Sequence, residues 1–196
     1  MGVSNEQTAI SKLEASRRQL ECAIRLLFDN DDSLAVHTLA HAAFKVLFDL
    51  THKRSGTPFI GAFANVVEII GGWAQLSKIP NFLKHADKDA DALLESHSPE
   101  ATLATLGFAC VLYRRLAGRM TPEMGAFHEW MRVSNPDVFE LERDSDADIE
   151  AAYRESVAFL KAQPWDVRIS AGKALMQLYR EQLETGAGRN TAAPGS

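Results

Sequence analysis

His37 and His41 stand four residues apart on a stretch with helical periodicity, so their imidazoles can meet over one point. That is metal-ligand spacing. A transition ion needs three or four such donors, and His85 with Asp87 would complete the set. No Glu follows His37, so the metalloprotease pattern His-Glu-x-x-His is missing. The plainer reading of the pair is two half-buried histidines hydrogen-bonded at the edge of a core. A ligand-binding role without metal is the third.

The second candidate is Asn81-Phe82-Leu83-Lys84-His85-Ala86-Asp87. If this segment is helical, Asn81 and His85 lie one turn apart. An Asn side chain orients an imidazole or contacts a phosphate oxygen, and His85 can serve as general base or acid near neutral pH. Lys84 and Lys78 add positive charge. The same residues also read as a helix cap with solvated charges. Arg17 is the third candidate. It falls inside the apolar sector of the first helix, where a guanidinium either snorkels outward along a packed stem or lines a site.

The elements that must position these residues are helices. Period-3.6 patterning dominates the chain and strand alternation is nearly absent. Ser4 with Gln7 reads as a capping box for a first helix, whose apolar face holds Ile10, Leu13, Leu20, Ile24, Leu27 and Phe28. Asn30-Asp31-Asp32 closes it, and Asp32 or Ser33 caps a second helix from about residue 34 to 53. There Val36, Leu39, Ala40, Ala43, Val46, Leu47 and Leu50 form a stripe, with the histidines beside Phe44 and Phe48 on one flank. So wide a surface predicts a central helix. Residues 73–99 are the least regular, with Pro80 as an interruption. Ser98-Pro99-Glu100 and Thr121-Pro122-Glu123 each read as cap, first-turn proline and acidic first turn. Ser145 with Asp148 opens another helix, and a last one follows Pro164 and ends at Gly186.

The 196 residues carry 21 Lys+Arg against 26 Asp+Glu, a net charge of −5. This acidity argues against broad nucleic-acid binding over the whole surface but leaves room for a local basic patch. Cys22 and Cys110 sit in apolar helical patterns and read as small buried hydrophobes in a reducing compartment. No signal-peptide pattern is visible, and the longest apolar stretch is too short to span a bilayer. The expectation is a cytoplasmic protein without membrane contact.

Taken together, the amphipathic first helix, the Thr38-Leu39-Ala40-His41-Ala42-Ala43 stretch and Asn81-Phe82-Leu83-Lys84-His85 resemble HEPN-like helical bundles. The Asn-Phe-x-Lys-His-Ala-Asp stretch is also similar to one shared by a group of bacterial proteins. Many HEPN-like proteins are ribonucleases or nucleotide-binding partners, with an Arg, often followed by Asn, and then a His several residues on. Asn81 and His85 match the last two positions, whereas Pro80 stands at the Arg position. The resemblance implies binding of RNA or a nucleotide, with His85 and Asn81 as the catalytic candidates. Lys78, Lys84, Arg17, His37 and His41 are the candidate ligand contacts. Loss of the Arg implies weak or no cleavage. The resemblance also implies a homodimer.

The expectation is therefore one all-α domain over residues 1–186, an antiparallel helical bundle. Its HEPN-like core covers about residues 6–118 and further helices occupy 119–186, before a disordered tail at 187–196. No cofactor is expected on the leading reading. A divalent transition metal belongs to the alternative with His37, His41, His85 and Asp87. A non-enzymatic, dimeric partner-binding protein is the remaining alternative.

Overall fold

The computed structural model describes residues 9–55, 72–85, 87–94, 99–134 and 158–190. These residues form helices α1 (Lys12–Phe28), α2 (Ser33–Ser55), α3 (Trp73–Lys84), α4 (Pro99–Ala117), α5 (Pro122–Ser134) and α6 (Trp165–Asn190). No strand occurs among them, and the protein is an all-α bundle.

Helix α1 starts later than the Ser4 box predicts. Its N-cap is Ser11, whose side chain accepts from the Glu14 amide at 3.1 Å, so Ile10 stays outside the helix and exposed. Leu20, Ile24, Leu27 and Phe28 then form the expected buried face. Asp32 caps α2 as expected, accepting from the Ala35 amide at 2.8 Å. Asn30 turns the chain between the two helices at φ 55°, a left-handed conformation that Asn tolerates better than most residues.

Helix α2 packs on α1, α3 and α4, as the width of its stripe predicts, and α4 is the most completely buried helix. From Ala101 to Tyr113 nearly every side chain of α4 is buried, which is how a helix apolar on all sides is accommodated. Gly118, at φ 79°, ends α4, and its amide donates to the Arg114 carbonyl at 2.8 Å. Phe28, Phe127 and Trp130 join α1 to α5, with ring centroids 5.5 to 6.5 Å apart. Burying side chains of this size stabilises the fold by roughly 1.5–3 kcal/mol each. Helix α6 runs back along α5, where Arg180 grips Glu123 at 2.6 Å and Trp130 Nε1 donates to the Arg168 carbonyl at 2.7 Å.

Neighbouring helices α1 and α2 are antiparallel, as are α5 and α6. Helices α2 and α4 are parallel, because His37 meets Thr102, Phe44 meets Phe108, and Arg54 meets Leu116 in the same order along both. The bundle is thus antiparallel only in part. Parallel neighbours need a long crossover, and α3 lies within it. Pro80 lies inside α3 and does not break it. The last helix continues past Gly186 to Asn190, where the sequence reads as tail. The start of the helix predicted from Ser145 lies outside the described residues. No described helix is long and apolar enough to cross a membrane.

Candidate functional site

The buried face of α2 follows Val36, His37, Ala40, Ala43, Phe44 and Leu47. His37 is therefore in the core and not on its flank, with 1% of its surface exposed. Its Nδ1 lies 3.0 Å from Thr102 Oγ1 and its Nε2 lies 3.1 Å from the Leu76 carbonyl oxygen. A carbonyl only accepts, so Nε2 carries a proton, and Nδ1 shares a second hydrogen bond with the Thr102 hydroxyl. Both ring nitrogens thus face protein partners on α4 and α3.

His41, one turn on, is half-buried. Its ring lies nearly parallel to that of His37, with centroids 6.3 Å apart and planes 19° apart. Burial, then the neighbouring His37, Lys84 and Lys45, lower its pKa to about 4. It is a neutral imidazole at pH 7, with a cation of α3 close enough to depress it.

These positions correct the metal-site expectation. His37 spends both nitrogens on Thr102 and Leu76, and its ring stacks beside His41 instead of converging on a common point. His85 ends α3, and Asp87 is exposed beyond it. Among the described residues, no three His, Cys, Asp or Glu side chains form a group that could hold a metal ion.

Helix α3 divides the remaining candidates by angle. Leu76, Ile79 and Pro80 are its buried face. At 100° per residue, Trp73, Ser77 and Lys84 share the edge of that face turned towards α2. Packing agrees for Trp73, which lies on Phe44 and Phe48 of α2 at 6.1 Å, and the Lys84 charge is felt at His41. Trp73 remains 41% exposed and Lys84 is exposed. Asn81, His85 and Lys78 lie about 60°, 100° and 120° from Lys84 around the helix, so Asn81 borders the Lys84 edge while His85 and Lys78 turn away from it. Trp73 is absent from the candidates that sequence reasoning supplies. Its spacing of four from Ser77 and of eleven from Lys84 is the signal that places it on this edge.

Arg17 does not join this group. It is held on α1 by Glu14 and Glu21 at 2.6 and 2.7 Å, and it faces Tyr113 of α4. These bonds keep the guanidinium charged and hold the Glu14 carboxyl at about 2. A cleft of about 70 Å³ between Asn30, Val36, Thr102 and Trp165 has room for only a few waters, far below the volume of a nucleotide site. Cys110 is buried, which raises its thiol pKa, and Cys22 is half-buried on another helix. No family model, curated protein or solved structure matches the chain.

Proposed function

We propose that this chain is a cytoplasmic HEPN-like protein that binds RNA or a nucleotide along the α2–α3 edge, with weak or no cleavage. The observation that carries this reading is the neutral His41 imidazole beside the Lys84 ammonium, with the exposed Trp73 on the same helix edge. A cation attracts phosphate, an aromatic face stacks a base, and a neutral imidazole offers both a donor and an acceptor. Cleavage would need a base and a cation at one phosphate. His85 and Lys84 lie about 100° apart around α3, which supports binding over catalysis. The cytoplasmic placement rests on two free thiols held on separate helices.

A homodimer accompanies this proposal. It is favoured by Val167, Ala174 and Leu178 of α6, which are exposed at spacings of seven and four and so fall on one apolar stripe.

Binding is tested by fluorescence anisotropy with labelled oligouridylate and with labelled ATP. Lys84→Gln and Trp73→Ala should each weaken binding about tenfold, the scale of one charge-assisted contact or one stacked base. Wild-type affinity in both variants overturns the site. Sedimentation at tens of micromolar, the usual scale of weak association, tests the dimer.

A further inference from the structure

The parallel course of α2 and α4 has an electrostatic result. Their C-termini lie at the same end of the bundle, linked by the Arg54 guanidinium, which donates to the Leu116 carbonyl at 3.4 Å. Lys53 and Arg54 stand in the last turn of α2. Arg114 stands near the end of α4, and Arg119 follows the Gly118 turn. All four are exposed. Helix C-termini attract cations, and each supplies roughly half a negative charge. Two termini therefore balance about one of these four charges.

Carboxylates on the same helices and on α1 are engaged by other cations. Glu14 and Glu21 are held by Arg17 and Arg18, and Asp49 is held by Lys45 at 2.6 Å. In a chain of net charge −5, concentration of cations at one end leaves the remainder still more acidic. That end also lies some 20 Å along α2 from His41, at 1.5 Å per residue, and so is separate from the α2–α3 edge.

From this convergence we infer that the end formed by the C-termini of α2 and α4 is a docking surface for the phosphate backbone of a nucleic acid, bound without base readout. The composition selects this partner over two others. A protein interface needs an apolar centre, and large apolar side chains are missing from the exposed described residues of these two termini. An anionic membrane surface needs an apolar anchor beside the charges, and none stands among the exposed described residues of the two termini. Guanidinium forks match phosphate oxygens, and a polyanion needs nothing further. Buried Tyr113 offers no face for stacking, so the surface reads charge alone. The inference extends the RNA reading of the α2–α3 edge to a second surface, and its test separates the two.

The test is the salt dependence of binding to labelled oligouridylate, between about 50 and 200 mM salt. Three exposed cations are changed together, as Lys53→Gln/Arg114→Gln/Arg119→Gln. Every single-strand phosphate that is no longer neutralised reduces the slope of log K against log salt by about 0.7, so the slope should fall by about 2. The charge-conserving counterpart, Arg114→Lys/Arg119→Lys, should keep the slope. Circular dichroism confirms that the variants fold. An unchanged slope in the glutamine variant overturns the surface, and if Lys84→Gln still weakens binding the α2–α3 reading survives alone. A reduced slope with no effect of Lys84→Gln supports this surface and removes the other. Tighter, charge-dependent capture of phosphatidylserine vesicles or of polyglutamate than of RNA overturns the choice of partner.

Discussion

Pro80 and His37 are joined through one oxygen. Proline has no amide hydrogen, so the carbonyl of Leu76, four residues earlier in α3, lacks its intrahelical donor. His37 Nε2 occupies that carbonyl from α2 at 3.1 Å. The proline that reads as a helix breaker thus becomes an attachment point between helices, and a buried imidazole satisfies the acceptor it leaves.

A double-mutant cycle measures this link. His37→Ala alone strands the Leu76 carbonyl and the Thr102 hydroxyl in the core and also leaves a cavity, so it should cost about 2–5 kcal/mol. In a Pro80→Ala background the restored amide serves Leu76, and the same change should cost about 1 kcal/mol less. Urea unfolding of the four proteins gives the coupling, and additive costs would show that the proline plays no part.

Gly172 of α6 packs against the ring of Phe28, which is itself held by Trp130. A methyl group at this position would fall inside the ring edge. The ring is core-bound and cannot step aside, so Gly172→Ala should destabilise by about 1–3 kcal/mol although alanine is the better helix former. Gly107→Ala is the control, since its added methyl meets no atom within 4 Å. Comparison of their urea midpoints checks both.

Local signals in the sequence place most of the helices. The α1 face, the Asp32 cap, the Thr121-Pro122-Glu123 start and the Gly118 stop each depend on residues within a turn or two, and the structure uses them. What the sequence conceals depends on contacts between distant segments. Pro80 stays in its helix because of a partner 43 positions earlier, as the numbering shows. His37 reads as a flank residue because Thr102 and Leu76 are invisible from α2 alone. The cationic end needs the direction of α4 relative to α2, and periodicity carries no information on direction. From α4 alone, Arg114 and Arg119 are no more than cations drawn to a helix C-terminus.

His41 gives the fold a pH dependence of determinate sign. The unfolded chain protonates this ring at about 6.5, and the folded chain only at about 4. Between those values the unfolded state binds more protons, so stability is full above pH 6.5 and falls as pH drops towards 4. The gap sets a ceiling of about 3 kcal/mol, and solvent screening at a partly exposed ring brings it to roughly 1–2 kcal/mol. Glu14, held at about 2 by Arg17 and Arg18, acts in the lower window from 4.5 to 2. Glu123 acts in the same sense: burial raises its pKa, but Arg180 and its other partners lower it by more, so its contribution is also lost on the acid side. His41→Phe should flatten the loss between pH 6.5 and 4 and leave the acid limb in place, as read by urea midpoints across that range.

The separation of Lys84 from His85 decides the chemistry. Metal-independent RNA cleavage needs a base at the 2′-hydroxyl and a cation at the same phosphorane. Lys84 faces His41 across the α2–α3 edge, and His85 caps α3 about a quarter turn away. His41 cannot substitute as an effective base at pH 7, because a group with pKa about 4 holds a proton too weakly to drive the transfer. Arg17, the other cation considered, is engaged by Glu14 and Glu21 on α1. Incubation of the pure protein with mixed RNA should therefore yield little or no cleavage, and His85→Ala should leave both that outcome and the RNA affinity unchanged. Lys84→Gln should lower affinity about tenfold without altering cleavage. Vigorous cleavage lost in His85→Ala would mean that bound RNA brings His85 and a cation together in a way the free protein does not.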